Sequence, residues 1–286
     1  MEINFCRILI QLSIYDIIGA SMQTDKTLQK LADQTFILQL NVPPDQVAKE
    51  YQQLLISIQK TFKSKGFRQG KVPLNIVRQN VSSADTIQEL ISRLVPQLYA
   101  KKVKQYNLKP IIQPQIKFNN PPVKIDKEWQ IEITGCQLPQ LSLKNSYVSQ
   151  LKKINLTKPK DQLNQILDTL IKNSQVKLPP ILIQADLQKQ LSSLIDQTRQ
   201  AGLTIDQYFQ SQKTNLEEYK KHLSSQIKKQ WAINLALDQI AKKEKIEVNP
   251  DDIKKATPKD SSAPINPQAL HHFVLQQKVI DFLKKL

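Results

Sequence analysis

An aromatic ring and two cations share one short turn in the octapeptide Gly66-Phe67-Arg68-Gln69-Gly70-Lys71-Val72-Pro73. The two glycines let the backbone turn where a Cβ would clash, and Pro73 restarts it with φ already set. Phe67, Arg68 and Lys71 together suit a flat, negatively charged and partly apolar partner surface. No acidic residue occurs between Glu50 and Asp85, while Lys60, Lys63, Lys65, Arg68, Lys71 and Arg78 all fall there. Six unopposed cations around one turn describe a docking surface. Lys60, Lys63, Lys65 and Arg78 form its supporting patch. An interhelical loop with an incidental basic face has the same composition, so the flanks decide. The chemistry on offer is binding.

Catalytic chemistry finds no foothold elsewhere. Cys6 and Cys136 are the only cysteines and form no Cys-x-x-Cys arrangement, which argues against a zinc site or a disulfide framework and fits a reducing compartment. His271 and His272 point to different helix faces, and His222 stands apart. No glycine-rich phosphate loop, nucleophile elbow or zinc-protease pattern is present. No catalytic residue, cofactor or metal ligand is assigned.

The flanks place the octapeptide on a helix pair. Val47, Tyr51, Leu54, Leu55, Ile58 and Phe62 recur on one helical face, after Pro43-Pro44-Asp45, a fitting start. A helix over residues 44–65 would be roughly 33 Å long. Pro73 opens a second helical pattern through Ile76 and Val77. Residues 35–42, 111–118 and 129–133 alternate apolar and polar, as half-buried strands do. Three strands beside helices over 44–65, 73–81 and 85–107 predict an α+β domain, an antiparallel sheet with its helices on one face. Pro96 is expected to kink the third helix.

From residue 179 the pattern is helical. Ile183, Leu187, Leu191, Leu194, Ile195 and Thr198 make one stripe ending at Gly202. Thr204 and Asn215 are placed to cap the next two helices. Past Trp231 the stripe widens through Ile233, Leu235, Leu237 and Ile240, so more than one face is covered. Asn249-Pro250 starts a short helix, residues 258–267 read as a polar loop, and Leu275 to Leu286 form a last amphipathic helix. Residues 141–177 read as a connector, with Lys158-Pro159-Lys160-Asp161 as its breaker.

Gly-Phe-Arg-x-Gly-x-x-Pro at the tip of a helix pair resembles the ribosome-docking signature of the trigger factor family, the bacterial nascent-chain chaperones. Residues 66–73 match it at every fixed position. The likeness continues through the strand at 36–42, the helix at 85–107, Leu178-Pro179 with the helix to Gly202, and the run at 235–247, covering most of residues 24–286. The resemblance implies an α+β N-terminal ribosome-docking domain with a helical hairpin, then an all-α C-terminal chaperone domain. It divides the chain into residues 22–140 for docking, a linker at 141–177 and a helical substrate cradle at 178–286.

The function implied is ATP-independent binding of hydrophobic segments of nascent polypeptides at the exit tunnel. Gly66, Phe67, Arg68, Gln69, Gly70, Lys71 and Pro73 would meet the ribosome there, touching a large-subunit protein and adjacent rRNA. Weak self-association is left open. Two departures matter. The family's commonest third residue in the motif is lysine, where this chain has Gln69, which implies weaker docking. Family members commonly carry an inserted peptidyl-prolyl isomerase domain, but here the helical stretch at 159–172 runs straight into Leu178-Pro179-Pro180. The chain is therefore expected to be a shortened form without isomerase activity.

Composition agrees with a basic, helix-rich protein. The 286 residues carry a net charge of +16, five glycines and 6% aromatics. Residues 24–150 contribute +9 and residues 151–286 +8, so both halves suit a polyanionic partner such as ribosomal RNA. Residues 3–20 are apolar-rich, but after Glu2 the charged Arg7 and Asp16 interrupt them short of the ~18 to 20 residues a membrane span needs. They lack a basic n-region, although Gly19-Ala20-Ser21 is loosely cleavage-like. Residues 1–21 are read as an extension ahead of Met22, an over-called start, and the protein as cytoplasmic, without a membrane partner. The alternatives are an extracytoplasmic foldase or holdase related to periplasmic parvulin-type chaperones, needing 1–21 as a signal, and a general basic RNA-binding protein. The second rests on charge alone, because only Phe62 and Phe67 stand near the basic turn for stacking on bases.

Overall fold

Alternation at 36, 38, 40 and 42 turns one face of a strand inward, and β2 (Thr35–Val42) buries Phe36, Leu38, Leu40 and Val42. β4 (Trp129–Cys136) pairs with it antiparallel along its whole length, from Thr35 opposite Cys136 to Val42 opposite Trp129. Opposed residues share a face, so Gly135, Ile133, Ile131 and Trp129 join the same apolar side. β1 (Leu28–Lys30) and β3 (Gln115–Phe118) complete a four-stranded antiparallel sheet in the order β1-β2-β4-β3. The structure, a computed structural model, describes residues 27–121, 123–153, 159–257 and 266–285. The extension at 1–21, Lys158 of the breaker and residues 258–265 of the polar loop lie outside the described residues.

Three helices belong to this part. α1 (Pro44–Gln59) has proline in its first turn with Asp45 beside the positive dipole end, and buries Val47, Tyr51, Leu54 and Leu55. α2 (Leu74–Asn80) buries Val77. α3 (Ser83–Gln105) starts where the Ser82 hydroxyl accepts the Asp85 N–H, and buries Leu90, Leu94 and Val95. These side chains and the sheet's inner face form one core. Each fully buried leucine or isoleucine there contributes roughly 1.5–3 kcal/mol. α3 continues past Pro96, which is exposed.

Two elements are shorter than their sequence pattern. The helix expected over 44–65 stops at Gln59, because the chain must turn back there to bury Val72. The strand expected over 111–118 pairs only from Gln115, since Pro110 and Pro114 bracket the preceding stretch and cannot donate to a ladder. Ile111 instead donates its N–H to the Cys136 carbonyl at 3.1 Å. β1 was not foreseen, because three residues are too few to show alternation.

The second half is mostly helical, with one correction to the expected layout. Residues 141–177 do not form a plain linker, and the helical part contains a small sheet. β5 (Leu141–Leu143) pairs with β6 (Ser174–Val176), bracketing α4 (Ser146–Leu151) and α5 (Pro159–Asn173). Tyr147, Leu151, Ile166 and Leu170 then pack into one core with Ala236, Leu237, Ile240, Ala241, Val279 and Leu283. Apolar burial draws the segment in. Asn173 secures it by donating from Nδ2 to the Thr169 carbonyl and to Gln150 Oε1, each at 2.8 Å, and accepting from Ser146 Oγ at 2.7 Å.

α6 (Pro180–Gln200), α7 (Ile205–Ser211), α8 (Leu216–Lys243), α9 (Pro250–Ala256) and α10 (Pro267–Leu283) complete the chain. Thr204 and Gln207 form a capping box, and Asn215 accepts the Glu218 N–H at 2.9 Å, as their types predict. α8 is covered on several sides where Leu235, Ala236 and Leu237 are all buried. Ile195, expected on the buried stripe of α6, is exposed instead. The two halves meet where Cys136 packs on Ile181 and Leu182, with Ile112 and Trp231 against them.

The sheet leaves no room at its inner corner. A Cβ on Gly135 would lie 2.5 Å from Cζ of Phe36, the residue opposite it. Gly135→Ala is expected to cost about 1–3 kcal/mol of unfolding free energy, as overpacking does. Urea denaturation checks this, with Phe36→Leu in the same chain recovering part of the loss. An unchanged midpoint for Gly135→Ala would mean that the ring moves aside freely.

Candidate functional site

The basic turn lies between α1 and α2 and is closed at its neck. Gln59, the last residue of α1, donates from Nε2 to the Val72 carbonyl at 2.6 Å. Val72 itself is fully buried in the sheet–helix core, and Phe62 packs against that core from the loop's other limb. The intervening residues are therefore held at both ends. Pro73, with φ of −56°, leads directly into α2.

Two β-turns shape the loop. Phe67 N–H donates to the Ser64 carbonyl at 3.2 Å, and Lys71 N–H to the Arg68 carbonyl at 2.9 Å. The third residue of each turn is a glycine at positive φ, Gly66 at 84° and Gly70 at 78°, while Lys65 and Gln69 before them keep negative φ. That pattern is the type II turn, which L-residues adopt poorly at the third position. A Cβ at Gly66 would meet open space, and one at Gly70 would touch only the Lys60 carbonyl at 3.6 Å. The glycines are required by the sign of φ.

These turns leave the motif side chains in solvent. Phe67 is 43% exposed although it is a large apolar residue. Arg68, Gln69 and Lys71 are exposed beside it, as are Lys60, Lys63 and Lys65. No carboxylate pairs with any of these cations among the described residues. Arg78 sits farther along α2 with its guanidinium 5.8 Å from the Tyr51 ring centroid, so it braces α2 against α1. The sequence motif thus comes together on one loop, and Arg78 stands to its side. Sequence reasoning missed Gln59 and Val72. An apolar residue between Lys71 and Pro73 was the available signal for the second.

Groups elsewhere are occupied structurally. Burial, with the Asp33 and Asp186 carboxylates, pushes the Cys136 thiol up to about 11, so it stays protonated and unreactive near neutrality. His272 Nδ1 lies 3.6 Å from Asp238 Oδ1 and its Nε2 2.9 Å from Gln276 Nε2, joining α10 to α8. Burial raises the Asp238 carboxyl above its ordinary value, against the opposing pull of His272 and Lys242. Among the described residues no cluster of three or more His, Cys, Asp or Glu side chains could hold a metal ion. No helix among them is long and apolar enough to cross a membrane.

A small antiparallel α+β domain presents the basic loop and is joined to a mostly helical body. Residues 24–170 match the model described as bacterial trigger factor protein (TF), and residues 142–286 match that of its C-terminus. The chain belongs to the bacterial trigger factor family. The two matches overlap over 142–170, so they adjoin without an interval. Trigger factors of Staphylococcus carnosus (strain TM300) and Staphylococcus aureus (strain Newman) are each 25% identical over 142 residues, 50% of this chain. The aligned stretch spans about a third, 32%, of those curated relatives. A solved structure described as "Promiscuous Substrate Recognition in Folding and Assembly Activities of the Trigger Factor Chaperone" shares the fold. It superposes with a TM-score of 0.60 over 90% of this chain and 99% of that one, at 11% identity.

The neck contact sets a stability expectation. Gln59→Leu removes the donor and leaves the Val72 carbonyl unpaired, which should cost about 1–3 kcal/mol in urea unfolding. Trypsin should also cut faster between Lys60 and Lys71. Equal cleavage rates in variant and wild type would show that Val72 burial alone closes the loop.

Proposed function

We propose that this chain is a ribosome-associated, nucleotide-independent chaperone that docks through residues 66–73. The observation that carries the reading is Phe67, 43% exposed on the same two glycine-dependent turns that display Arg68 and Lys71. A ring held out of the core at that cost in apolar exposure is suited to a partner's apolar depression, with the cations meeting acidic side chains or phosphates around it. Gly66, Gly70 and Pro73 shape the loop, and Lys60, Lys63 and Lys65 add long-range attraction. A large-subunit protein with adjacent rRNA near the tunnel exit is the partner surface.

Residues up to about 140 serve docking in this reading. The helical body, including 141–177, holds unfolded nascent segments. Ile195, Leu203 and Leu216 are exposed around the α6–α7–α8 end of that body, where the Phe209 and Tyr219 rings lie 5.4 Å apart. Their apolar surface amid polar neighbours supports weak, sequence-tolerant client contact. The adjoining family matches support a mode of action without the isomerase step common in the family. The site of action is the cytoplasm, where ribosomes are.

Co-sedimentation with bacterial ribosomes tests the docking role. Phe67→Ala/Arg68→Ala/Gln69→Ala should abolish pelleting while leaving thermal unfolding within about 0.5 kcal/mol of wild type, as exposed sites do. Gln69→Lys should strengthen pelleting and steepen its salt dependence by about 0.7–0.9 in the log–log slope if the new cation meets a phosphate. Equal pelleting by wild type and the triple variant would refute loop-directed docking.

A further inference from the structure

A second cationic surface runs along α3, apart from the loop. Between Glu89 and Asp126 the chain holds Arg93, Lys101, Lys102, Lys104, Lys109, Lys117 and Lys124, and no carboxylate. The outward face of α3 is built from Arg93, Gln97, Lys101, Lys104 and Gln105, all exposed and spaced three or four residues apart along most of that face. From Arg93 to Lys104 this face is about 17 Å long at 1.5 Å per residue. Arg93 Nη1 donates to Ser57 Oγ at 3.2 Å, which puts that end of the track beside the last turn of α1, next to the loop. Just past its other end Asn107 turns the chain at φ of 49°, and the chain is tied to the end of the sheet where Lys109 N–H donates to Gln137 Oε1 at 2.9 Å. The Lys109 side chain is exposed there.

Local structure accounts for only part of this charge. Lys102 and Lys104 stand in the last turn, where they complement the helix dipole. Lys102 is further engaged, 5.6 Å from the Tyr106 ring centroid and donating to Gln105 Oε1. Arg93 is paired with Glu89 at 2.7 Å. On α1, Glu50 makes no ion pair with α3 among the described residues. Lys101 and Lys109 have no such role, and neither has an ion-pair partner among the described residues. The aromatic residues nearby, Tyr99, Tyr106 and Phe118, are all partly buried, so no ring is offered for stacking on a base.

We infer that the outward face of α3, with Lys101 and Lys104 on it and Lys109 just beyond its end, none of them in an ion pair among the described residues, lies along the phosphate backbone of an RNA helix. The choice of RNA rests on the docking reading above, which brings the loop and this adjacent track to a ribosomal surface. Contact with phosphates alone positions a protein without reading sequence. The track would act as a second, sequence-independent hold beside the loop.

Fluorescence anisotropy of the full chain with a labelled 20-base-pair RNA duplex, between 50 and 200 mM salt, tests this. Lys101→Gln/Lys104→Gln/Lys109→Gln should lower the log–log salt slope by about 2–3, at roughly 0.7–0.9 per lost phosphate contact. Its arginine counterpart, Lys101→Arg/Lys104→Arg/Lys109→Arg, should keep the wild-type slope. Lys221→Gln/Lys228→Gln/Lys229→Gln removes equal charge from an exposed stretch of α8 and should leave the slope unchanged. The inference is overturned if that control loses as much as the α3 variant, or if the α3 variant binds the duplex like wild type. Polyglutamate bound by wild type but not by the α3 variant, with no change for RNA, would assign an acidic protein and also overturn it. The loop variant keeps duplex binding whether or not it pellets with ribosomes, so failure of docking and failure of the track are read separately.

Discussion

The eight-residue ladder between β2 and β4 is the constraint on which both halves of the molecule depend. Its inner face, from Phe36 and Gly135 to Val42 and Trp129, is the floor against which α1 and α3 pack. Those helices in turn decide where the loop stands. At the ladder's other end Cys136 is fully buried against Ile181 and Leu182, which fastens the sheet to the helical body. A slip of one residue in this register would turn every inner side chain outward and detach both. The absence of a side chain at Gly135 keeps the register compatible with the Phe36 ring.

On that floor the loop solves a local problem of exposure. An apolar ring left in water costs free energy, and a flexible loop would lose it into the nearest groove. Here the neck between Gln59 and Val72 fixes the ends, and the two type II turns leave the intervening backbone few alternatives. Phe67 therefore remains displayed without a neighbour to cover it fully. Preorganisation of this kind reduces the ordering cost of binding, so few contacts suffice for useful affinity.

The loop was legible because its determinants are local. Glycines at the third positions of two turns, a proline after them and a run of cations are written within a dozen residues. The end of α1 was not, because it depends on Val72 returning to a core assembled from residues far along the chain. The segment at 141–177 was misread for a related reason. Its strands pair Leu141 with Val176 across two intervening helices, and nothing near either residue announces the other. Lys158-Pro159-Lys160 looked like a breaker, yet proline is at home at the start of a helix, and α5 begins at Pro159. The caps of α7 and α8 were legible for the same reason as the loop: Thr204 and Asn215 act within one turn.

Charge separates two roles that composition alone merges. A net charge of +16 spread evenly would attract any polyanion and favour no orientation. In this fold one group of free cations sits on the loop and another along α3, with Lys30, Lys49, Lys117 and Lys127 exposed elsewhere, while Arg78, Arg93 and Lys102 are engaged by Tyr51, Glu89 and Tyr106. In the proposed docking, an apolar contact at Phe67 would set position, because it is short-ranged and demands a fitting surface. The lysines of α3 lack that demand and would contribute attraction that falls with salt. On that proposal, an apolar pin beside a cationic track would give orientation from one and capture from the other. With an uncharged Gln69 inside the loop, more of the electrostatic attraction would then fall to the track.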